Sequence, residues 1–178
     1  MSGGISTSSR VALRRWAVGG ALISLTAGLG SLVPATQAAL AASIRPATVV
    51  AGPGLIVAAD HKGKCVEDAN NAVANNTPVQ IGTCGDPGTS WTIESDGTIQ
   101  TNGKCLDIRR DGKVNKVQVE LWTCTGGSNQ VWMAENGTLV NPVSRKCLDD
   151  PRFSGADGTQ LKIYTCNGGK NQQWVLPS

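Results

Sequence analysis

The stretch Lys104-Cys105-Leu106-Asp107, followed by Leu121-Trp122-Thr123-Cys124 and then Asn129-Gln130-Val131-Trp132, decides how this chain folds, because it occurs again. It returns as Lys146-Cys147-Leu148-Asp149, Ile163-Tyr164-Thr165-Cys166 and Asn171-Gln172-Gln173-Trp174. In both copies the cysteines stand 19 residues apart and a tryptophan follows the second by 8. A plainer copy lies upstream: Cys65 and Cys84 are also 19 apart, and Trp91 follows by 7. Successive first cysteines are 40 and then 42 residues apart. Self-similarity at a fixed period of this size marks a repeat architecture, in which one unit cannot bury an apolar face alone. From about Gly52 to Ser178 the chain is a tandem triplication, with units at 53–95, 96–136 and 137–178.

Within the units the local pattern is that of strands. Val79-Gln80-Ile81, Val117-Gln118-Val119-Glu120-Leu121 and Leu161-Lys162-Ile163-Tyr164 alternate apolar with polar at period two. Asp96-Gly97 and Asn136-Gly137 sit between such runs, where a tight type I′ hairpin turn needs positive φ at both central residues. No segment of the repeats has a helical period. The class is all-β, and three units are too few for a propeller, so a closed barrel with threefold pseudo-symmetry is predicted. The final run, Trp174-Val175-Leu176, is expected to pair with Leu55-Ile56-Val57 and so close the ring, leaving no open edge.

The equal spacing argues for disulfides within units: Cys65 with Cys84, Cys105 with Cys124, Cys147 with Cys166. Each loop of this size stabilises by roughly 3 kcal/mol on the loop-entropy account. That supports a chain with one phenylalanine, Phe153, and one tyrosine, Tyr164. A zinc role is disfavoured, because no Cys-x-x-Cys pair occurs and His61 is the single histidine; no metal or other cofactor is expected.

Ahead of the repeats, Arg10, Arg14 and Arg15 precede an uncharged run from Trp16 to Val33. Small residues follow at Thr36-Gln37-Ala38 and Ala39-Leu40-Ala41. This order is read as an export signal over 1–41, cut near Ala38 or Ala41, with a short linker over 42–52. The competing reading is a membrane anchor, against which the Gly, Ser and Thr content and the small-residue exit both argue. Arg14-Arg15 leaves general and twin-arginine export both open. A secreted monomer that leaves the membrane once the signal is cut is expected. The chain has 16 basic and 13 acidic residues, and three of the basic ones lie in 1–41, which leaves 13 of each beyond it. A nucleic-acid partner would require a basic surplus that the repeats lack.

The Cys, Asp, aromatic, Cys and Asn-Gln-x-Trp elements, in register across the units, resemble the ricin B-type lectin family. The resemblance covers about 125 residues, with every element present in the second and third units. It implies a β-trefoil and non-catalytic binding of a polysaccharide or glycan on the outside of each unit, with galactose- and xylan-type sugars as candidates. By position, Asp107 and Asp149 would accept hydrogen bonds from sugar hydroxyls, and Trp122 and Tyr164 would stack on the ring. Asn129 and Asn171 would add polar contacts, with Gln130 and Gln172 beside them. The chemistry suits a pyranose, whose rim offers hydroxyls to a carboxylate and whose C–H face fits an aromatic ring. The first unit has Glu67, Gly82, Gly88 and Thr89 at these places, so it is expected to keep only a structural share. Galactose-binding members often carry Gln four residues before the second cysteine, where this chain has Glu120 and Lys162.

Trp91, Trp132 and Trp174 are predicted to be core, since all three units keep one whether or not the sugar residues are present. Enzymatic hydrolysis is disfavoured: the adjacent Asp149 and Asp150 would point to opposite faces of a strand. The rival from another class is a disulfide-stapled protease inhibitor or protein-interaction scaffold that binds no sugar.

Overall fold

The computed structural model describes residues 49–178; the expected signal and the linker up to residue 48 lie outside the described residues. The chain is all-β. Strand β1 (Val49–Leu55) takes up the last part of the stretch expected as linker. The first unit continues with β2 (Val57–Ala58), β3 (Lys64–Asp68), β4 (Thr77–Thr83) and β5 (Ser90–Glu94). The second has β6 (Ile99–Thr101), β7 (Lys104–Ile108), β8 (Val119–Thr123) and β9 (Met133–Glu135). The third has β10 (Thr138–Asn141), β11 (Lys146–Asp149), β12 (Lys162–Thr165) and β13 (Trp174–Val175). Between them stand short 3-10 turns, two of which, Ser128–Gln130 and Lys170–Gln172, carry the Asn-Gln motif.

Period-two alternation builds the barrel interior. Val66, Leu106 and Leu148 occupy equivalent inward positions on β3, β7 and β11, and Ile81, Leu121 and Ile163 do so further along; all are fully buried. Each such side chain contributes about 1.5–3 kcal/mol through burial. Trp91, Trp132 and Trp174 complete the same core. Their indole N–H groups donate to the carbonyls of Val66 (2.9 Å), Leu106 (3.0 Å) and Leu148 (3.3 Å). One residue type thus fills volume and ties the end of each unit to its first strands, with each of these buried indole donors paired. All six cysteines pair within units, as the spacing predicts, with Cα atoms 5.0–5.1 Å apart.

The ring closes in two ways. Trp174 pairs with Ala58 and Val175 with Val57, so the ends meet close to the predicted place. The units are also clasped in a cycle. The amides of Asn76, Lys116 and Gly158 donate to the carbonyls of Leu121, Ile163 and Ile81 (2.8–2.9 Å), each reaching the following unit. Beside each, a side-chain oxygen reinforces the joint: Asn75 accepts from the Thr123 amide (2.9 Å), Asn115 from the Thr165 amide (2.9 Å) and Asp157 from the Thr83 hydroxyl (3.2 Å). The strand ladder itself is not continuous. A nine-stranded and a four-stranded sheet meet through such local bonds and the bridges Gln80–Gln160 and Gln118–Lys162.

Both predicted hairpins form, by different turns. Asn136 and Gly137 both have positive φ (49° and 81°), as a type I′ turn requires. At the other, only Gly97 does (φ 85°). Asp96 instead accepts from the amide of Thr98 (2.9 Å), and Glu94 N–H reaches Thr98 O (2.9 Å), a three-residue loop ending in a left-handed glycine.

The third unit abuts the start of the first at Gly155, whose amide donates to Asp150 Oδ2 (2.9 Å). Its φ is +55°, and a Cβ there would lie 2.5–2.6 Å from ring atoms of His61. Gly155→Ala is therefore expected to cost about 2–3 kcal/mol. The left-handed backbone supplies about 1 of that and displacement of the imidazole the remainder. A urea titration measures it, and an unchanged midpoint would contradict the packing described.

Candidate functional site

In the second unit, β7 and β8 pair so that Asp107 faces Glu120 and Cys105 faces Trp122, while Leu106 faces Leu121 one step away. Alternation sends the leucines into the barrel and leaves Asp107, Glu120 and Trp122 on the outer face. There they line an open cleft of about 370 Å³ with Asn76, Arg110, Asp111, Thr125 and Asn129. Trp122 is half-buried, whereas Asp107 is 4 % exposed.

The carboxylate is held by two amides. Asn129 Nδ2 (2.9 Å) and Gln130 Nε2 (2.7 Å) both donate to Asp107 Oδ2, so neither occupies Oδ1. Gln130 is wholly buried and otherwise engaged: its Nε2 also donates to Thr123 O (3.0 Å), and its Oε1 accepts from the Thr125 amide (2.8 Å). Both polar ends of this side chain are thus engaged within the protein. Burial pushes the Asp107 carboxyl up to about 6; Glu120 adds to the shift, and the Gln130 and Asn129 donors oppose it.

The third unit repeats the arrangement on β11 and β12. Asn171 Nδ2 and Gln172 Nε2 both donate to Asp149 Oδ2 (2.8 Å each), Gln172 Nε2 also donates to Thr165 O (3.0 Å), and Gln172 Oε1 accepts from the Asn167 amide (3.0 Å). Asp149 and the half-buried Tyr164 line a second cleft of about 370 Å³ with Lys116, Arg152, Lys162, Asn167 and Asn171. Burial raises the Asp149 carboxyl above the ordinary range, and the adjacent Asp150 adds to this against the two amides and Lys162. Asp150 is fully buried and bonds the Gly155 amide, so the adjacent carboxylates do not converge on one cleft.

The first unit has no equivalent platform. Glu67 lies across Gly82, where an added Cβ would come within 2.8 Å of Glu67 Cβ, and Gln80 Nε2 donates to Glu67 Oε2 (3.2 Å). Thr89 turns to bond Asp86 O (2.7 Å). The acid there covers the place an aromatic ring would occupy.

Several cleft residues lie outside the repeated motif. Arg110 and Arg152 each come three residues after the motif aspartate, at positive φ (54° and 64°), and that equal spacing is a signal in the sequence. Asn76 and Lys116 belong to the unit before the one whose cleft they line, and only the ring of units brings them there.

These features define a three-lobed β-trefoil with an acid–aromatic cleft on two of its outer faces. Residues 52–174 match the ricin-type beta-trefoil lectin domain, and the chain belongs to that family. Among curated proteins, it is 36 % identical over 90 residues to beta-galactoside-specific lectin 3 of Viscum album, covering 46 % of this chain and 15 % of that protein. The aligned part is thus a small fraction of that relative's length. Among solved structures, it is similar to the designed threefold-symmetric protein ThreeFoil (TM-score 0.62, 29 % identity, 70 % of this chain and 96 % of that one). It is also similar to the agglutinin of Abrus precatorius (TM-score 0.63, 26 % identity, 75 % of this chain and 51 % of that one).

Proposed function

We propose that this chain binds carbohydrate reversibly, without chemical turnover, through the clefts of its second and third units. The observation that carries the reading is the placing of a nearly buried carboxylate and a half-exposed aromatic ring on one outer face, twice. Asp107 and Asp149 would accept from sugar hydroxyls, Trp122 and Tyr164 would cover the ring, and Asn129 and Asn171 would add contacts at the rim. Gln130 and Gln172 would position the acids. The galactoside specificity in the name of the Viscum album relative supports a galactose-type sugar. The pairing of all six cysteines supports action in an oxidising, extracellular setting. The protein is expected to be held on a galactose-bearing resin and released by free galactose. Passage through galactose and xylan resins alike without delay would sink the proposal.

A pH dependence follows from Asp107. Protonation turns an acceptor oxygen into a donor and removes its charge, so affinity at the second cleft should fall as pH drops through about 6. At pH 5 the competent fraction is about a tenth, giving roughly tenfold weaker binding than at pH 8. Stability moves oppositely. A carboxyl whose folded pKa exceeds its unfolded one holds its proton more tightly when folded, so its contribution improves as pH falls from about 6 towards 4. Titration of the Tyr164→Ala variant, in which the second cleft alone reports, should show weaker binding with no loss of fold. A flat profile between pH 8 and 5 would exclude this role for Asp107.

A further inference from the structure

The two clefts share a frame and differ in charge. Position by position, Asn76 of the second cleft is replaced by Lys116 in the third, and Glu120 by Lys162; Arg110 and Arg152 correspond. The second cleft is lined by three acids (Asp107, Asp111, Glu120) and one base, a formal charge of −2. The third has one acid, Asp149, and three bases (Lys116, Arg152, Lys162), a formal charge of +2. Lys162 is half-buried and directly faces Asp149 across the ladder, as Glu120 faces Asp107.

The cations of the third cleft outnumber its one acid, Asp149, which Lys162 faces. Among the described residues, the side chains of Lys116, Arg152 and Lys162 form no ion pair within 4.0 Å, whereas Glu120 of the other cleft pairs with Arg109 (3.4 Å). The positive lining continues outward, since Lys116 and Lys162 also border a neighbouring groove with Arg109 and Arg110. Beyond residue 41 the chain carries equal numbers of acids and bases, so this charge is local rather than a property of the whole surface.

We propose that the third-unit cleft is selective for an anionic pyranose, one bearing a carboxylate or a sulfate ester, while the second cleft takes a neutral sugar. This rests on the reading of the third cleft as a sugar site. Tyr164 and Asp149 hold the ring and its hydroxyls, and the anionic substituent lies among Lys116, Arg152 and Lys162. A neutral sugar leaves the net positive lining unanswered, whereas an anion gains from each cation at short range. In the second cleft the same substituent meets Glu120 and Asp111 and is repelled.

Calorimetric titration in a Trp122→Ala background, at low ionic strength, isolates the third cleft. The probes are galactose, galacturonate and galactose 6-sulfate. The anionic sugars are expected to bind about tenfold more tightly than galactose, with the preference shrinking as salt is added. In Lys116→Gln/Arg152→Gln/Lys162→Gln the ratio should fall to about one. Preference for galacturonate would mark carboxylate recognition by the Arg152 fork, and preference for the sulfate would mark the lysines as the anion site. Equal affinity for all three sugars, or a preference that survives the triple substitution, overturns the proposal and leaves the sugar site standing. If adding Tyr164→Ala leaves galactose binding unchanged, the sugar reading itself fails. An anionic preference untouched by Tyr164→Ala and matched by a DNA oligonucleotide would show a general polyanion surface, which also overturns it.

Discussion

Replacing Trp91 with alanine is expected to destabilise the fold by about 3–5 kcal/mol and to leave both clefts working in the molecules that remain folded. The indole has no exposed surface and sits in the common core with Val66 and Ile81. Its removal opens a cavity the barrel cannot collapse into, because three units clasped in a ring share the strain. It also strips the Val66 carbonyl of its partner at 2.9 Å, adding the cost of an unsatisfied buried acceptor. Urea unfolding should show a lower midpoint at nearly constant slope. Trp91 belongs to the unit with no sugar platform, so its variant separates stability from binding. A loss below about 1 kcal/mol would mean that the core is not built around these indoles. Trp122→Ala is the internal control: that ring is half-buried on the outer face, and its truncation should cost far less stability while removing a binding surface.

Much of this was legible in the sequence because a triplication states the same physical demand three times. Cysteines at one spacing, a tryptophan after each pair and period-two alternation left one economical solution, a closed barrel of three units. The acid and aromatic positions were legible too, since Asp107 and Trp122, like Asp149 and Tyr164, lie on paired strands of one unit. What escaped depends on contacts between units or on backbone detail. The pairing of β1 with β5 joins segments roughly 40 residues apart without a repeated motif to announce it. Lys116 reaches a cleft belonging to the next unit, which no reading confined to one repeat could find. At Asp96-Gly97 the dipeptide named a hairpin correctly but not its turn, because the aspartate side chain offered the Thr98 amide a bond that a type I′ geometry does not use.

The largest effect on function is expected from removing the two aromatic rings, singly and together. Each cleft is shallow and open, so each should hold a sugar weakly. On one rigid body the two can engage a polymer together, and the second contact is then made at high effective concentration. Avidity of about 10²-fold over either site alone is reasonable for such a pair. The two readouts should therefore diverge. With a monosaccharide, Trp122→Ala or Tyr164→Ala removes binding at its own cleft and leaves the affinity of the surviving cleft as it was. With a polymer, either substitution forfeits the bivalent gain and weakens retention about 10²-fold, and the double variant abolishes it. If the third cleft prefers an anionic sugar, the polymer that shows the full effect must carry both neutral and charged residues, and a uniformly neutral one will reveal a single site. Polymer affinity left intact by both single substitutions would mean that the rings do not carry recognition, whatever the fold retains.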